Sequence, residues 1–300
     1  MSTFTAIPEP APHSAIRRLV ARHPVAAFLV MVYAVTIAFA LLRTRGDPQL
    51  PFDLPVWGAL GHLFGVALPA FLVMAAMHGR AGVSDLARRS FRWRVGARWY
   101  FLALLGLPMA TVMGASAIFG LAPLDALVAK WPLLFTVMVP DLLFRIVFLN
   151  LAEEIGWTGF LQAWLQDRHG PLKACVLVEV PFALFHVPDL IVDTGGQLPL
   201  ALLLLGVLAV AQLFARVVMM WLYNSTQRSV LLIGLFHATY NTTVNRFGPE
   251  YIPGSAETGF WITSGVVAVA AVLVVVFTRG RLSYKPNHVS QIADAPLTKD

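Results

Sequence analysis

Apolar residues in this chain gather in long runs instead of alternating with polar ones, and short charged segments separate the runs. A bilayer-spanning helix needs about 20 mainly apolar residues. Runs of that kind lie at 24–43, 56–78, 99–120, 132–156, 172–191, 198–222, 229–246 and 258–278, which predicts eight spans. The expected fold is therefore an all-α polytopic transmembrane bundle. It is read as one membrane domain over 1–300, with a polar head (1–22), the bundle (24–278) and a polar tail (283–300). The head is rich in Pro and Ala and has no apolar core, so no removable signal peptide is expected. The first, sixth and eighth runs read as clean spans, whereas the fourth, fifth and seventh carry ionisable residues, and in a membrane these mark function.

Composition agrees, with 58% hydrophobic against 13% charged residues. The net charge of +6 does not point to nucleic acid, because the bases are not collected on an aromatic-interleaved patch. They follow the positive-inside pattern instead. Arg17, Arg18, Arg22, Arg80, Arg88, Arg89, Arg92, Arg94, Arg98, Arg168, Lys173, Arg228, Arg279, Arg281 and Lys285 fall on one side of the eight spans. Only Arg43, Arg45, Lys130 and Arg246 fall on the other, so both termini are expected in the cytoplasm of a multi-pass cell-membrane protein. The segment Gly79–Trp99 reads as a basic loop, or as an interfacial helix capped by Ser84. His62, Trp57, Trp93, Trp99 and Trp131 read as interfacial anchors. The single cysteine, Cys175, excludes a disulfide framework and reads as a small core residue.

Three runs carry chemistry. The fourth, PDLLFRIVFLNLAEEIGWTGFLQAW from Pro140 to Trp164, sets Glu153 beside Glu154. Each costs about 2.5–3.5 kcal/mol in lipid even on a lenient scale, so both should face a polar interior. Neighbours on a helix diverge by about 100°, which predicts one working carboxylate and one supporting it. The fifth run places Phe182 and His186 one turn apart, and Pro188 should bend the helix there. Glu179 lies about 10 Å below His186 on nearly the same face and is a candidate partner for it. The seventh run sets His237 and Asn241 one turn apart, an imidazole and an amide suited to an oxyanion. For these three sets to meet, the fourth helix must continue through Trp164, with Gly156 and Gly159 as close-approach points.

At these residues the sequence resembles the CAAX prenyl protease and bacteriocin-processing family (CPBP, also called Abi) of integral membrane endopeptidases. That family's pattern is Glu-Glu-x-x-x-Arg, then Phe-x-x-x-His, then His-x-x-x-Asn or Asp, on three helices. Glu153 and Glu154, Phe182 and His186, and His237 and Asn241 match it in order. Thr158 stands where the family has arginine. Arg145 is a candidate replacement, and an Asp141–Arg145 pair that only neutralises itself is the alternative.

The resemblance implies an intramembrane endopeptidase whose substrate is a membrane-associated protein or peptide, with a CAAX-type prenylated one among the candidates. Glu153 and His186 would activate water, His237 and Asn241 would hold the oxyanion, and Glu154 would support them. Two routes stay open, activation by Glu and His alone or by a zinc ion held by Glu153, His186 and His237. Buried acids and a bent helix also fit a proton-coupled transporter. Thr158 keeps open a catalytically silent scaffold or immunity protein.

Overall fold

The computed structural model describes residues 15–50 and 54–286. In chain order the helices are α1 (Ala15–Arg22), α2 (Pro24–Arg43), α3 (Val56–Ser90), α4 (Ala97–Phe119), α5 (Ala122–Ala129) and α6 (Leu134–His169). They continue as α7 (Pro171–Phe185), α8 (Val187–Asp193), α9 (Leu198–Ser225), α10 (Val230–Thr242, running on through Thr243–Phe247 to Tyr251) and α11 (Ala256–Thr278). The sole departure from all-α structure among the described residues is a two-residue antiparallel pair, β1 (Gln49–Leu50) with β2 (Leu54–Pro55). Of the expected polar ends, residues 1–14 and 287–300 lie outside the described residues, and the remainder of the head is α1.

Seven helical stretches are long and apolar enough to cross a membrane. The run at 229–246 falls outside that set although it is helical, because His237, Thr239, Asn241, Thr242, Thr243, Asn245 and Arg246 dilute its hydropathy. Its central residues are instead buried against other helices, and α10 packs on α6 and α9. Outward-facing side chains such as Met113, Val180, Leu203, Val269 and Phe277 are apolar and exposed, as a lipid-facing wall requires. The chain is thus an integral multi-pass membrane protein.

The expected cap at Ser84 does not form, since α3 runs through it. The helix breaks earlier, at Gly79, whose φ of +60° suits a residue without a side chain. After the break the chain is helical and packed on the bundle through Ser90, and residues 91–96 form a loop with Phe91 and Trp93 exposed, so the expected basic loop is confined to that part. Leu86, Arg89 and Ser90 are buried, and Arg89 donates to the Gly159 carbonyl at 2.7 Å and the Tyr223 hydroxyl at 2.9 Å. This arginine therefore ties α3 to α6 and α9, when sequence counting gave it only a topological role.

Close helix approach falls where small residues allow it. A Cβ built at Gly156 would lie 2.5 Å from Val66 Cγ1 and 2.9 Å from the Val66 carbonyl oxygen. One built at Gly159 would lie 2.9 Å from Leu86. On the other face, a Cβ at Gly234 would meet the Leu151 backbone at 3.1 Å, so α10 also seats directly on α6. Thus α6 is the central post, with α3 and α10 drawn against it near its two glutamates.

Candidate active site

The α6 helix continues to His169, as the meeting of the three runs requires. Around the glutamates it loosens into π-helical turns, Ile146–Asn150 before them and Ile155–Gln162 after them. Such turns often accompany functional positions, because the extra residue per turn re-aims side chains. Glu153 and Glu154 are both buried and point apart. Glu153 Oε1 faces His62 Nε2 at 2.8 Å, and its Oε2 accepts from Asn150 Nδ2 at 3.2 Å. Glu154 Oε1 accepts from His237 Nδ1 at 2.8 Å, while its Oε2 accepts from the Thr158 hydroxyl and from Arg216. His237 Nδ1 stands 3.6 Å from Glu153 Oε2, so this imidazole links the two carboxylates.

Pro188 lacks the N–H that would continue the ladder, and the chain breaks beside His186, where α7 ends and α8 begins. His186 Nδ1 donates to the Phe182 carbonyl at 2.9 Å, which leaves Nε2 as a proton acceptor. The Phe182 ring lies between two imidazoles, with its centroid 4.8 Å from His186 and 6.3 Å from His237. The break thereby brings α7 and α10 to a common level. Beyond it, Arg43 at the end of α2 pairs with Asp189, and with Asp193 at 2.7 Å and Asp47 at 3.1 Å. Sequence counting had used Arg43 only as a topological charge. A cavity of about 350 Å³, lined by Arg43, Gln49, Gly58, His62, Asp189 and Asp193 among others, opens onto His62 from this end.

On α10, His237 is buried and Asn241 half-buried one turn further on. The Asn241 side chain makes no hydrogen bond to the described residues, and its carbonyl accepts from Asn245 Nδ2 at 2.7 Å. Because Glu154 takes the Nδ1 proton of His237, Nε2 is a donor only when the ring is an imidazolium.

The structure thus brings Glu153, Glu154, His186, His237 and Asn241 into one region, corrects three sequence expectations, for His62, Glu179 and the sixth run, and decides between the two readings of Arg145. His62 is no interfacial anchor, since its side chain is 16% exposed and bonded to Glu153. Arg145 does not serve the glutamates, because its Nε goes to Asp141 at 2.7 Å, the self-neutralising alternative. Asp141 also accepts from Thr242 at 2.7 Å and Arg246 at 3.3 Å. Glu179 faces Arg216 Nε at 3.7 Å and not His186. The sixth run, read as clean, contains Arg216, which is 2% exposed and lies against Glu154. Sequence reasoning therefore missed His62 and Arg216, although an ionisable residue inside an apolar run was the signal in both cases.

The donor atoms were tested for zinc. No group of three His, Cys, Asp or Glu among the described residues is disposed to hold a metal ion. His62 Nε2 is turned onto a carboxylate, and the Nδ1 atoms of His237 and His186 onto a carboxylate and a carbonyl, which leaves Nε2 of the latter two open. Glu153, His186 and His237 nevertheless do not form a tetrahedral ligand set in this arrangement.

Residues 135–243 match the model of the Rce1-like family, Type II CAAX prenyl endopeptidases. The match spans about a third of the chain and includes all five candidate residues. It supports the CPBP/CAAX protease family that the motifs resemble. No curated protein matches the chain.

Proposed function

We propose, from a family of CAAX-type intramembrane proteases, that this protein is an endopeptidase cutting a peptide bond of a membrane-associated protein or peptide. The observation that carries the reading is the meeting of Glu153, His186 and His237 from three helices near Phe182, with His62 standing between Glu153 and the cavity. Glu153 and the free Nε2 of His186 take a proton from a water as its oxygen adds to the scissile carbonyl. The Asn241 amide, and the Nε2–H of His237 when that ring is doubly protonated, donate to the resulting oxyanion. When the carbon–nitrogen bond breaks, the proton held by Glu153 and His186 passes to the leaving amine. The products are a carboxylic acid and a free amine. Glu154 holds the Nδ1 proton of His237 and so fixes which nitrogen faces the substrate.

With both termini in the cytoplasm, the cavity beside Arg43 opens on the opposite face, and the cleaved segment enters from there. The test uses purified protein in vesicles with a membrane-tethered peptide carrying a reporter on each side of the cut. Glu153→Gln and His186→Ala should each abolish cleavage while the protein stays folded. Cleavage surviving in Glu153→Gln would falsify this role for Glu153.

A further inference from the structure

Arg216 is the guanidinium closest to the candidate residues, and the mechanism above does not use it. It is 2% exposed, eighteen residues into α9, where a buried charge is costly unless it is paired. Its Nη1 lies 3.3 Å from Glu154 Oε2 and 3.3 Å from Thr158 Oγ1, and the Thr158 hydroxyl donates to that same carboxylate oxygen. The guanidinium carbon stands 4.8 Å over the Phe182 ring, which covers one face of the cation. Its Nε is turned to Glu179 at 3.7 Å, beyond hydrogen-bond range, and neither that nitrogen nor the Glu179 oxygens find another partner among the described residues.

The two oxygens of Glu154 are thereby divided between two elements. Oε1 meets His237 on α10, and Oε2 meets Thr158 and Arg216. A carboxylate pinned at one oxygen by a cation presents the other in a fixed direction. Position 158 lies four residues after Glu154 and on its face, as the Thr158 bond itself shows. A long cationic side chain at 158 would reach the volume that the Arg216 guanidinium now fills. The short threonine leaves that volume open, and α9 supplies the charge.

We infer that Arg216 is the positioning cation of this site, placed on α9 instead of α6, and that it acts through Glu154 to fix the ring of His237. The inference rests on the peptidase reading. It predicts reciprocal behaviour of two positions on different helices, which a purely space-filling role for either does not.

The experiment is a four-protein cycle of wild type, Arg216→Ala, Thr158→Arg and the double variant, with Arg216→Lys as the conservative control. Cleavage of the tethered peptide and melting temperature are measured for each. Arg216→Ala should lower kcat by about 100-fold with little change in KM, because the residue touches no substrate. Arg216→Lys should keep more activity, since the charge remains while the fork is lost. Thr158→Arg alone should also be impaired, because two guanidinium groups then compete for one space. The double variant should recover to within about tenfold of wild type and regain melting temperature. A double variant no better than Arg216→Ala overturns the inference, as does an Arg216→Ala protein with unchanged kcat. If Arg216→Ala does not fold, recovery of folded, active protein in the double variant supports the inference and continued loss overturns it. A wild type that cuts no peptide, with the melting-temperature cycle still closing, sinks the peptidase reading and the catalytic half of the inference while confirming the relocated ion pair.

Discussion

His62 Nε2 lies 2.8 Å from Glu153 Oε1, and His62 Nδ1 lies 2.6 Å from the Gly58 carbonyl oxygen. Both ring nitrogens face oxygens, so the pair is satisfied when the ring carries two protons, or when Glu153 carries one. Either way the working carboxylate is tied to α3, outside the three motif helices. Replacing His62 by Ala should cost the 1.5–3 kcal/mol typical of a hydrogen bond to a charged group, about 10- to 100-fold in kcat/KM. Steady-state cleavage measures it, and unchanged kinetics would make His62 a packing residue only.

Glu154 and His237 should behave as one unit. Glu154→Gln keeps the shape but replaces an oxygen that accepts protons by an amide that donates them, so the Nδ1 proton of His237 is no longer secured. By analogy with other carboxylate–imidazole pairs, kcat should fall by about 10³ or more. His237→Ala should cost as much, and the double variant little beyond either. Losses that multiply would show that the two act separately.

Gly156 governs the approach of α3. In Gly156→Ala the new methyl meets Val66 Cγ1 at 2.5 Å and a backbone oxygen at 2.9 Å, so the helices must part. Overpacking of this kind costs about 1–3 kcal/mol. Since Val66 is one turn from His62 and Gly156 is three residues from Glu153, activity should fall together with the melting temperature. Val66→Ala should restore only part, because the backbone clash persists. Full restoration would place the constraint in the side chain alone.

Extensive dialysis against a chelator should leave cleavage intact, an outcome expected because no three His, Cys, Asp or Glu among the described residues are disposed to hold a metal ion. Activity lost on chelation and regained with zinc would reinstate the metal route, with Glu153, His186 and His237 drawn into a new arrangement.

The spans were legible because lipid imposes a simple length and composition on them, and α2 begins and ends where the apolar run does. The break at His186 was legible because proline lacks a donor. Thr158 announced that something was missing but not where it had gone, since a charge supplied from α9 leaves no trace in local spacing. His62 was misread because a histidine near the start of a span looks like an anchor until the partner across the interface is known. The seventh run was counted as a span for its length although it carries polar residues, and these are tolerated because other helices surround it.

The short α8 helix carries a further consequence. None of its residues is buried, and the interruption at His186 separates its hydrogen-bond ladder from that of α7. Half-buried contacts with α2 and α9 and the ion cluster around Arg43 attach it to the bundle. Local opening there needs few apolar contacts to break, so its amides should exchange with solvent orders of magnitude faster than those of α6 or α10. High salt should widen the difference, because it weakens the ion contacts and leaves the lipid-embedded core untouched.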